Sequence, residues 1–546
     1  MWELLRFLVG RARATRRLLA ASIIVGVISG LGTVALLVLI NRSLHDQAIP
    51  SPVGVGVVFA GLCALVTIGR VSSAALLSLL GQGLVKDLRL ELCRRILTSP
   101  LPRLEALGSH RLLATLTDDV GSLMQVLVFV PGLFIRGSII LGCLAYMAWL
   151  DVELFVLLLA VVTLGVLSYH LPAQLGLRRF REAREEQDAL FDHFRSLTQG
   201  AKELKLNRQR RGAFIELLEV TTEAVRRLRV TANVIYGTAA AWGHLLFFVV
   251  IGVLLYARPA FIEADRETLV SYTLVLLYMI TPLQILLDNL PTLGRAQVAV
   301  DKIRNLGFSL GPIELERSEV SAASGGDVPP SRGAFQRLEL VGVIHTYRRD
   351  GQDFDFQLGP IDLELQPGEL VFLVGGNGSG KTTLAKVLVG LYRPEQGMIR
   401  LDGRPVMDKD ADDYRQLFSV IFSDFFLFER LLGLERPTLD DEARRYLEEL
   451  RLDHKVVIED GRLSTTDLSE GQRKRLALLT AYLEDRAVYV FDEWAADQDP
   501  VFKQIFYLEI LEGLRRRGKA LVVISHDDRY YHLADRIVRL EEGRLG

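Results

Sequence analysis

Three short stretches of this 546-residue chain carry side chains suited to handling a phosphate chain. The first is Gly375-Gly376-Asn377-Gly378-Ser379-Gly380-Lys381-Thr382, followed by Thr383. It matches G-x-x-x-x-G-K-[ST], after an apolar strand (370–374) and at the opening of a helix, the context that gives the pattern its meaning. The glycines let backbone N–H groups turn inward around phosphate, and the helix N-terminus adds a favourable dipole. Lys381 is placed to reach the β- and γ-phosphates, and the Thr382 hydroxyl to ligate Mg²⁺, so ATP and Mg²⁺ are the implied cofactors. The second stretch is Val488-Tyr489-Val490-Phe491-Asp492-Glu493, a buried strand ending in two carboxylates. Asp492 fits the Mg²⁺ shell, and Glu493 is placed to orient and polarise water. The third is Leu468-Ser469-Glu470-Gly471-Gln472, ahead of an apolar helix (476–483).

The elements that must position these groups follow from patterning. From residue 335 onward, short apolar strands (338–344, 371–374, 521–524) alternate with helical stretches, which predicts an α/β domain. The stretch 318–333 is rich in Ser, Gly and Pro and reads as a flexible joint. Upstream the chain changes character. Half of all residues are hydrophobic, 24% are charged, and mean hydropathy is +0.25, so apolar and charged residues must be segregated. Six runs (18–40, 53–80, 126–150, 154–171, 234–256 and 269–290) are long enough to approach or exceed the roughly 20 apolar residues that span a bilayer. Arg and Lys gather before the first run, in the loops 81–125 and 172–233, and after the last. By the positive-inside rule those segments and the C-terminal half are cytoplasmic. The expected domains are therefore a six-helix membrane domain (1–310), a linker (311–334) and an α/β P-loop ATPase domain (335–546).

A formal net charge of −2 gives no global basic field, so nucleic acid is not an expected partner. Cys63, Cys93 and Cys143 are far apart and form no metal or disulfide pattern. The loop 180–207 mixes charge with Leu and Phe at helical spacing, which predicts membrane helices running on into the cytosol to touch another domain.

Taken together, LSxGQ between the glycine-rich loop and the Asp-Glu strand, with His526 after a later strand, resembles an ABC-transporter ATPase domain. One polypeptide with six runs and one such domain is similar to an ABC exporter half-transporter. The resemblance implies a homodimer, or a pair with a close relative, in which Ser469 and Gly471, with Gln472, meet the nucleotide of the opposite protomer. It also implies that His526 senses the γ-phosphate, that Tyr347 stacks on adenine, and that Asp499 is the acidic residue of the loop after the Asp-Glu strand. On the same ground, stretches near 104–111 and 201–207 are the expected coupling helices. Three positions depart from the common pattern. Ser423 stands where a Mg²⁺-contacting Gln is usual, Glu470 replaces the middle Gly of LSGGQ, and Trp494-Ala495-Ala496-Asp497-Gln498-Asp499 replaces Pro-Thr-Ser-Ala-Leu-Asp. With FSDF, LSEGQRKRLAL, FDEWAADQDP, SHDDRYYHLADR and KELKLN, the chain resembles the cyclic-peptide exporter branch, which includes syringomycin, pyoverdine-precursor and microcin exporters.

The resemblance implies an inner-membrane, multi-pass ATP hydrolase that exports a peptide natural product or peptide siderophore precursor. A lipid or lipid-linked-precursor flippase is the alternative, and a non-transporting membrane ATPase a third reading. Arg70, Arg136, His244 and Asp288 lie in or near apolar runs, where a charge is costly. They either emerge into water, pair with one another, or line a cavity that takes an acidic or polar peptide. Trp242, Tyr146, Tyr272, Tyr278 and Gln284 are candidates for stacking and hydrogen bonding in that pathway, or for packing.

Overall fold

A computed structural model describes residues 13–45, 52–256, 265–288, 303, 335–347, 356–434 and 436–546. The predicted linker 311–334 falls outside the described residues. The chain divides into two compact units. One comprises Met1–Leu92 and Leu113–Leu306, the other Cys93–Leu112 and Gly307–Gly546.

The first unit is helical. Its main helices are α1 (Arg13–His45), α2 (Pro52–Thr98, which runs past the unit's edge), α4 (Val120–Leu150), α5 (Val152–Gln199), α7 (Arg208–Tyr256) and α8 (Arg266–Asp288). Between these along the chain lie α6 (Ala201–Leu206), of the same unit, and α3 (Leu101–Leu107), which belongs to the second unit. Four described helices are long and apolar enough to cross a membrane: α1, α2, α4 and α8. The run 154–171 lies within α5 and the run 234–256 within α7, whose apolar stretch is Ala241–Tyr256. Helices α2, α5 and α7 have 47, 48 and 49 residues. At 1.5 Å per residue each is about 70 Å long, more than twice the hydrocarbon thickness. The sequence therefore extends its membrane helices well beyond the bilayer, as the charged periodicity of 180–207 predicts.

Small residues bring α1 close to its neighbours. A Cβ at Gly30 would lie 1.9 Å from Ser138 Oγ on α4, and one at Gly69 on α2 would lie 2.9 Å from Ser29 Cβ on α1. Such small-residue seams are how helices pack where no hydrophobic effect drives them together. Ser29 Oγ donates to Val66 O at 2.9 Å, and Asn41 Nδ2 donates to Tyr146 Oη (2.8 Å) and Ser271 Oγ (2.7 Å), tying α1, α4 and α8. Tyr272 is fully buried and its hydroxyl bonds Met147 O and Asp151 O, each at 2.6 Å. Tyr146 and Tyr272 therefore serve packing. The side chains of His244 and Asp288 lie outside the described residues.

The second unit contains an antiparallel sheet, β2-β1-β4-β5, built from β1 (Leu338–Tyr347), β2 (Phe356–Leu365), β4 (Gln396–Leu401) and β5 (Arg404–Pro405). A second sheet has the order β12-β11-β3-β10-β9-β6, with β3 (Leu370–Val374), β6 (Phe418–Ile421), β9 (Val488–Asp492), β10 (Ala520–Ile524), β11 (Arg536–Glu541) and β12 (Arg544–Leu545). A small hairpin, β7 (Ile458–Glu459) and β8 (Arg462–Leu463), stands apart. Strands β6, β9, β10, β3 and β11 run parallel. Parallel strands are covered on both faces, which is why β3, β9 and β10 are continuous apolar runs. Their alternate residues feed two cores. Val371, Leu373, Val490 and Val522 face one core, while Phe372, Phe491 and Val523 face the other. Helix α9 (Lys381–Leu388) starts seven residues after β3 and contributes Leu384 and Leu388 to the first core. It stops at Leu388, because Gly390 turns the chain at φ 74°.

Candidate functional site

Lys381, Asp492, Glu493 and His526 gather at the C-terminal ends of β3, β9 and β10, the edge where open α/β sheets place their ligands. After β3 the chain turns sharply at Gly375 (φ 154°), whose missing Cβ lets Leu540 O approach to 2.1 Å of that position. Gly380 (φ 100°) likewise yields space to Phe356 before α9 begins. Asn377 and Gly378 form the exposed crest of this loop. Lys381 is 6% exposed and its Nζ donates to Gly375 O (3.0 Å) and Gly376 O (2.9 Å), so the ammonium sits inside the curve of the loop. Burial lowers its pKa, against an opposing pull from Glu493 and Asp492. Ser379 Oγ is buried and has no hydrogen-bond partner among the described residues. Thr383 lies half-buried on the first turn of α9.

Thr382 Oγ1 donates to Asp492 Oδ2 at 2.9 Å, and Ser423 Oγ reaches the same oxygen at 3.4 Å. Asp492 is 1% exposed, and burial raises its pKa more than those two hydroxyls lower it. One corner of the site thus holds two hydroxyls and a carboxylate, a hard-oxygen set of the kind Mg²⁺ takes. Beside it Lys381 and Asp492 are both pushed toward their neutral forms by burial. A phosphate for the lysine and a cation for the carboxylate would reverse both tendencies. With the unpartnered Ser379 hydroxyl, the residues fit a phosphate-bound divalent cation.

Glu493 sits at φ 51°, a left-handed conformation unusual for a residue with a side chain. It is held there from both ends. Its N–H donates to Ile524 O at 3.1 Å, and its carbonyl accepts from Lys474 Nζ at 2.9 Å. The carboxylate Oε1 meets His526 Nε2 at 3.2 Å, so the two residues the sequence singled out are neighbours. Lys474, 2% exposed, also pairs with Asp497 at 2.7 Å. That buried lysine is a positioning residue, hidden in the sequence between Arg473 and Arg475.

Ser469 caps the helix α10 (Glu470–Glu484), with Gln472 Oε1 accepting from Ser469 N at 3.3 Å in a capping box. Glu470, the departure from LSGGQ, is exposed in the first turn and pairs with Arg473 at 3.4 Å, a place where the helix dipole favours a carboxylate. Gly471 is required sterically, since a Cβ there would stand 2.7 Å from Asp497 O. Gln498 donates to Gly471 O (2.9 Å) and accepts from Arg475 Nε (2.9 Å). Asp499 pairs with Arg475 and caps the following helix through Phe502 N at 2.9 Å. That backbone hydrogen bond and Arg475 hold its pKa below the usual carboxylate value. Among the described residues no hydrogen bond or ion pair joins 469–472 to the loop 375–383. Of the signature residues, Gly471 is therefore braced against Asp497 and Gln498, while Ser469 and Gln472 cap the helix.

Tyr347 ends β1 half-buried and stacks on Tyr392, with ring centroids 6.4 Å apart and planes 21° from parallel. Within the same unit, Glu105 of α3 accepts from the Tyr392 hydroxyl and pairs with Lys386 of α9 at 2.8 Å. Burial and Glu105 both push the Tyr392 pKa upward. The first predicted coupling segment thus touches both Tyr392, which stacks on Tyr347, and the helix that carries Lys381. A partly exposed pair contributes only about 0–1 kcal/mol, so Glu105→Ala is expected to leave stability and basal ATP hydrolysis nearly unchanged. It is expected to reduce ATP-driven transport several-fold, measured as vesicle uptake per ATP consumed. An unaltered transport-to-hydrolysis ratio would sink this role. The second segment forms α6, fully described as a six-residue helix with no buried residues.

The geometry of Ser423 allows a direct or water-bridged contact to a cation held by Asp492 and Thr382. Ser423→Ala is expected to slow ATP hydrolysis less than about tenfold, the weight of one neutral hydrogen bond. A loss as deep as that of Glu493→Gln would contradict it.

Comparison with known proteins agrees with this geometry. Residues 358–496 match the ABC transporter family, and residues 18–283 match the ABC transporter transmembrane region. The chain is 37% identical over 527 residues to the ATP-binding protein SyrD of Pseudomonas syringae pv. syringae, covering 96% of this chain and 92% of that protein. It is 29% identical over 496 residues to an ATP-dependent lipid A-core flippase of Alkalilimnicola ehrlichii, covering 85% and 79% respectively. A flippase of the same description from Ralstonia nicotianae is 25% identical over 505 residues, covering 89% and 82%.

Proposed function

This chain belongs to the ABC transporter family as an exporter half-transporter, an ATP-hydrolysing protein of the inner membrane with its ATPase domain in the cytoplasm, and from that premise we propose that it exports a peptide natural product or peptide siderophore precursor as a homodimer. The observation that supports the dimer is the separation of the two half-sites. The phosphate loop, Asp492, Glu493 and His526 converge on one edge of the sheet, while Ser469 and Gln472 cap α10 and Gly471 is braced against Asp497 and Gln498, with no hydrogen bond or ion pair to that loop among the described residues. A second copy of the chain supplies the missing half.

In the closed dimer the loop 375–380 wraps the phosphates with its N–H groups, and Lys381 neutralises their outer oxygens. Thr382 and Asp492, with Ser423 directly or through water, would hold Mg²⁺, which when bound would neutralise phosphate charge. Tyr347 stacks on adenine. Glu493 accepts a proton from the attacking water, and His526, 3.2 Å from that carboxylate, aligns it and contacts the γ-phosphate. Catalysis is positioning and electrostatics rather than covalent chemistry.

Peptide cargo is supported by the FSDF, LSEGQRKRLAL and FDEWAADQDP segments and by the higher identity to SyrD (37%) than to the flippases (29% and 25%). The flippase reading draws on those same more distant relatives. Inverted membrane vesicles separate the two. ATP-dependent uptake of a fluorescent cyclic peptide, with no ATP-dependent movement of fluorescent lipid A, is the expected result. Lipid movement without peptide uptake would replace the first reading with the second.

A further inference from the structure

His526 acts from irregular backbone that follows β10 directly. Its side chain is 45% exposed, and among the described residues the ring makes one hydrogen bond, the 3.2 Å contact to Glu493 Oε1. A cavity of about 360 Å³ opens beside it, with Glu493, Trp494, Lys503, Tyr507 and Ser525 in its wall. The ring therefore has room to swing away from Glu493, and packing alone does not hold it. What holds it must act through the backbone.

That hold falls on Ser525, the residue before it, which is 6% exposed. Ser525 Oγ accepts from Asp527 N at 3.0 Å and closes a turn with His526 at its apex. A serine hydroxyl secures such a turn only weakly. Here it is fastened from outside. Tyr507 Oη shares a 2.7 Å hydrogen bond with Ser525 Oγ, and Tyr531 Oη donates to Ser525 O at 3.1 Å. At the exit of the turn, Arg529 donates to both oxygens of the Asp527 carboxylate, at 2.7 and 2.6 Å.

Tyr507 is itself fixed. It is 2% exposed, and its ring stacks on Tyr530 with centroids 4.0 Å apart and planes 15° from parallel. It sits on a π-helical turn (Ile505–Ile510), a wide geometry that is rare and gathers at functional sites. Burial pushes its pKa up to about 12, so the hydroxyl keeps its proton at neutral pH. Phe506, the residue before it, packs on Trp494, the neighbour of Glu493. Two consecutive residues of one turn thus back the two partners of the Glu493–His526 contact. Resting on the role given to His526 above, we propose that Tyr507 is a positioning residue for ATP hydrolysis, which holds His526 against Glu493 through the hydroxyl of Ser525.

The test uses the full chain in lipid nanodiscs, with single-turnover hydrolysis and equilibrium binding of radiolabelled ATP. Tyr507→Phe keeps the ring and its stack and removes one hydrogen bond. It is expected to slow hydrolysis about three- to tenfold, the weight of one neutral hydrogen bond, with the Kd for ATP unchanged. In a His526→Ala background the same substitution is expected to slow hydrolysis no further, because residues that act as one unit are not additive. A role in stability alone would slow both backgrounds alike. ATP-induced thermal shift identifies a Tyr507→Phe protein that fails to fold, and Tyr531→Phe, which takes the other hydroxyl from Ser525, then decides by the same two readouts. An unchanged hydrolysis rate, a weakened Kd in place of a slowed rate, or an equal loss with and without His526 overturns the positioning role and leaves His526 in the mechanism. Hydrolysis at the wild-type rate in His526→Ala itself removes that histidine from the mechanism, and this proposal with it.

Discussion

Replacing Glu493 by Gln is expected to slow ATP hydrolysis about 10²- to 10⁴-fold, the usual weight of a positioned general base, while ATP binding stays near the wild-type level. The substitution is nearly isosteric, and the backbone that aims the side chain does not depend on the carboxylate. Residue 493 is fixed by Ile524 O on its N–H and by Lys474 Nζ on its carbonyl, at 3.1 and 2.9 Å. The left-handed φ of 51° is therefore enforced from outside the side chain. What the amide lacks is the ability to accept a proton from water. The phosphate-binding groups, Lys381 and the loop N–H donors, are untouched, so single-turnover hydrolysis and equilibrium binding of ATP should separate cleanly. A Glu493→Gln rate within tenfold of wild type would move the base to another residue.

How far such a site can be read from sequence depends on how locally each feature is encoded. The phosphate loop, the Asp492-Glu493 strand end and the strands 370–374 and 521–524 announce themselves within a dozen residues. Loop glycines are demanded by backbone approach, as at Gly375, and parallel strands by burial on both faces. The long membrane helices are equally legible, because apolar runs and charge asymmetry are summed over many residues. The illegible part consists of contacts between distant segments. Glu105 meets Lys386 and Tyr392 across 281 and 287 residues of chain, and nothing in either stretch names the other. Lys474 reads as one of three consecutive basic residues, yet it is 2% exposed and fastens Glu493 and Asp497. Asp499 stands out in the sequence only by its place after the Asp-Glu strand. Its cap on Phe502 N and its pairing with Arg475 emerge only once that loop is folded against α10.

The same loop carries the second large effect. Trp494, which stands where the family more often has Pro, is 1% exposed and stacks on Phe506 with centroids 4.3 Å apart. Phe506 in turn meets Phe491 of β9 edge-on at 5.3 Å, so the indole is wedged into the core directly behind the catalytic strand. Its Nε1 donates to Lys474 O at 2.9 Å. One side chain therefore braces Trp494's own loop, the helix of the signature residues and, through Lys474, the carbonyl of Glu493. Truncating a buried aromatic ring costs about 3–5 kcal/mol through lost burial and the cavity left behind. For a unit of this size that is a drop of about 6–20 °C in the melting temperature of the ATPase unit, at 2–4 °C per kcal/mol. Trp494→Phe keeps the ring against Phe506 but leaves Lys474 O without its donor, so it should lose only about 1–3 kcal/mol. The ordering matters as much as the size. If Trp494→Ala melts within about 2 °C of wild type, far below the expected shift, the tryptophan is a tolerated substitution and not the brace of the site. If Trp494→Phe is as damaging as Trp494→Ala, the hydrogen bond to Lys474, not the packing, holds the catalytic loop in place. Scanning fluorimetry of both variants, paired with their hydrolysis rates at a temperature where each remains folded, distinguishes these outcomes.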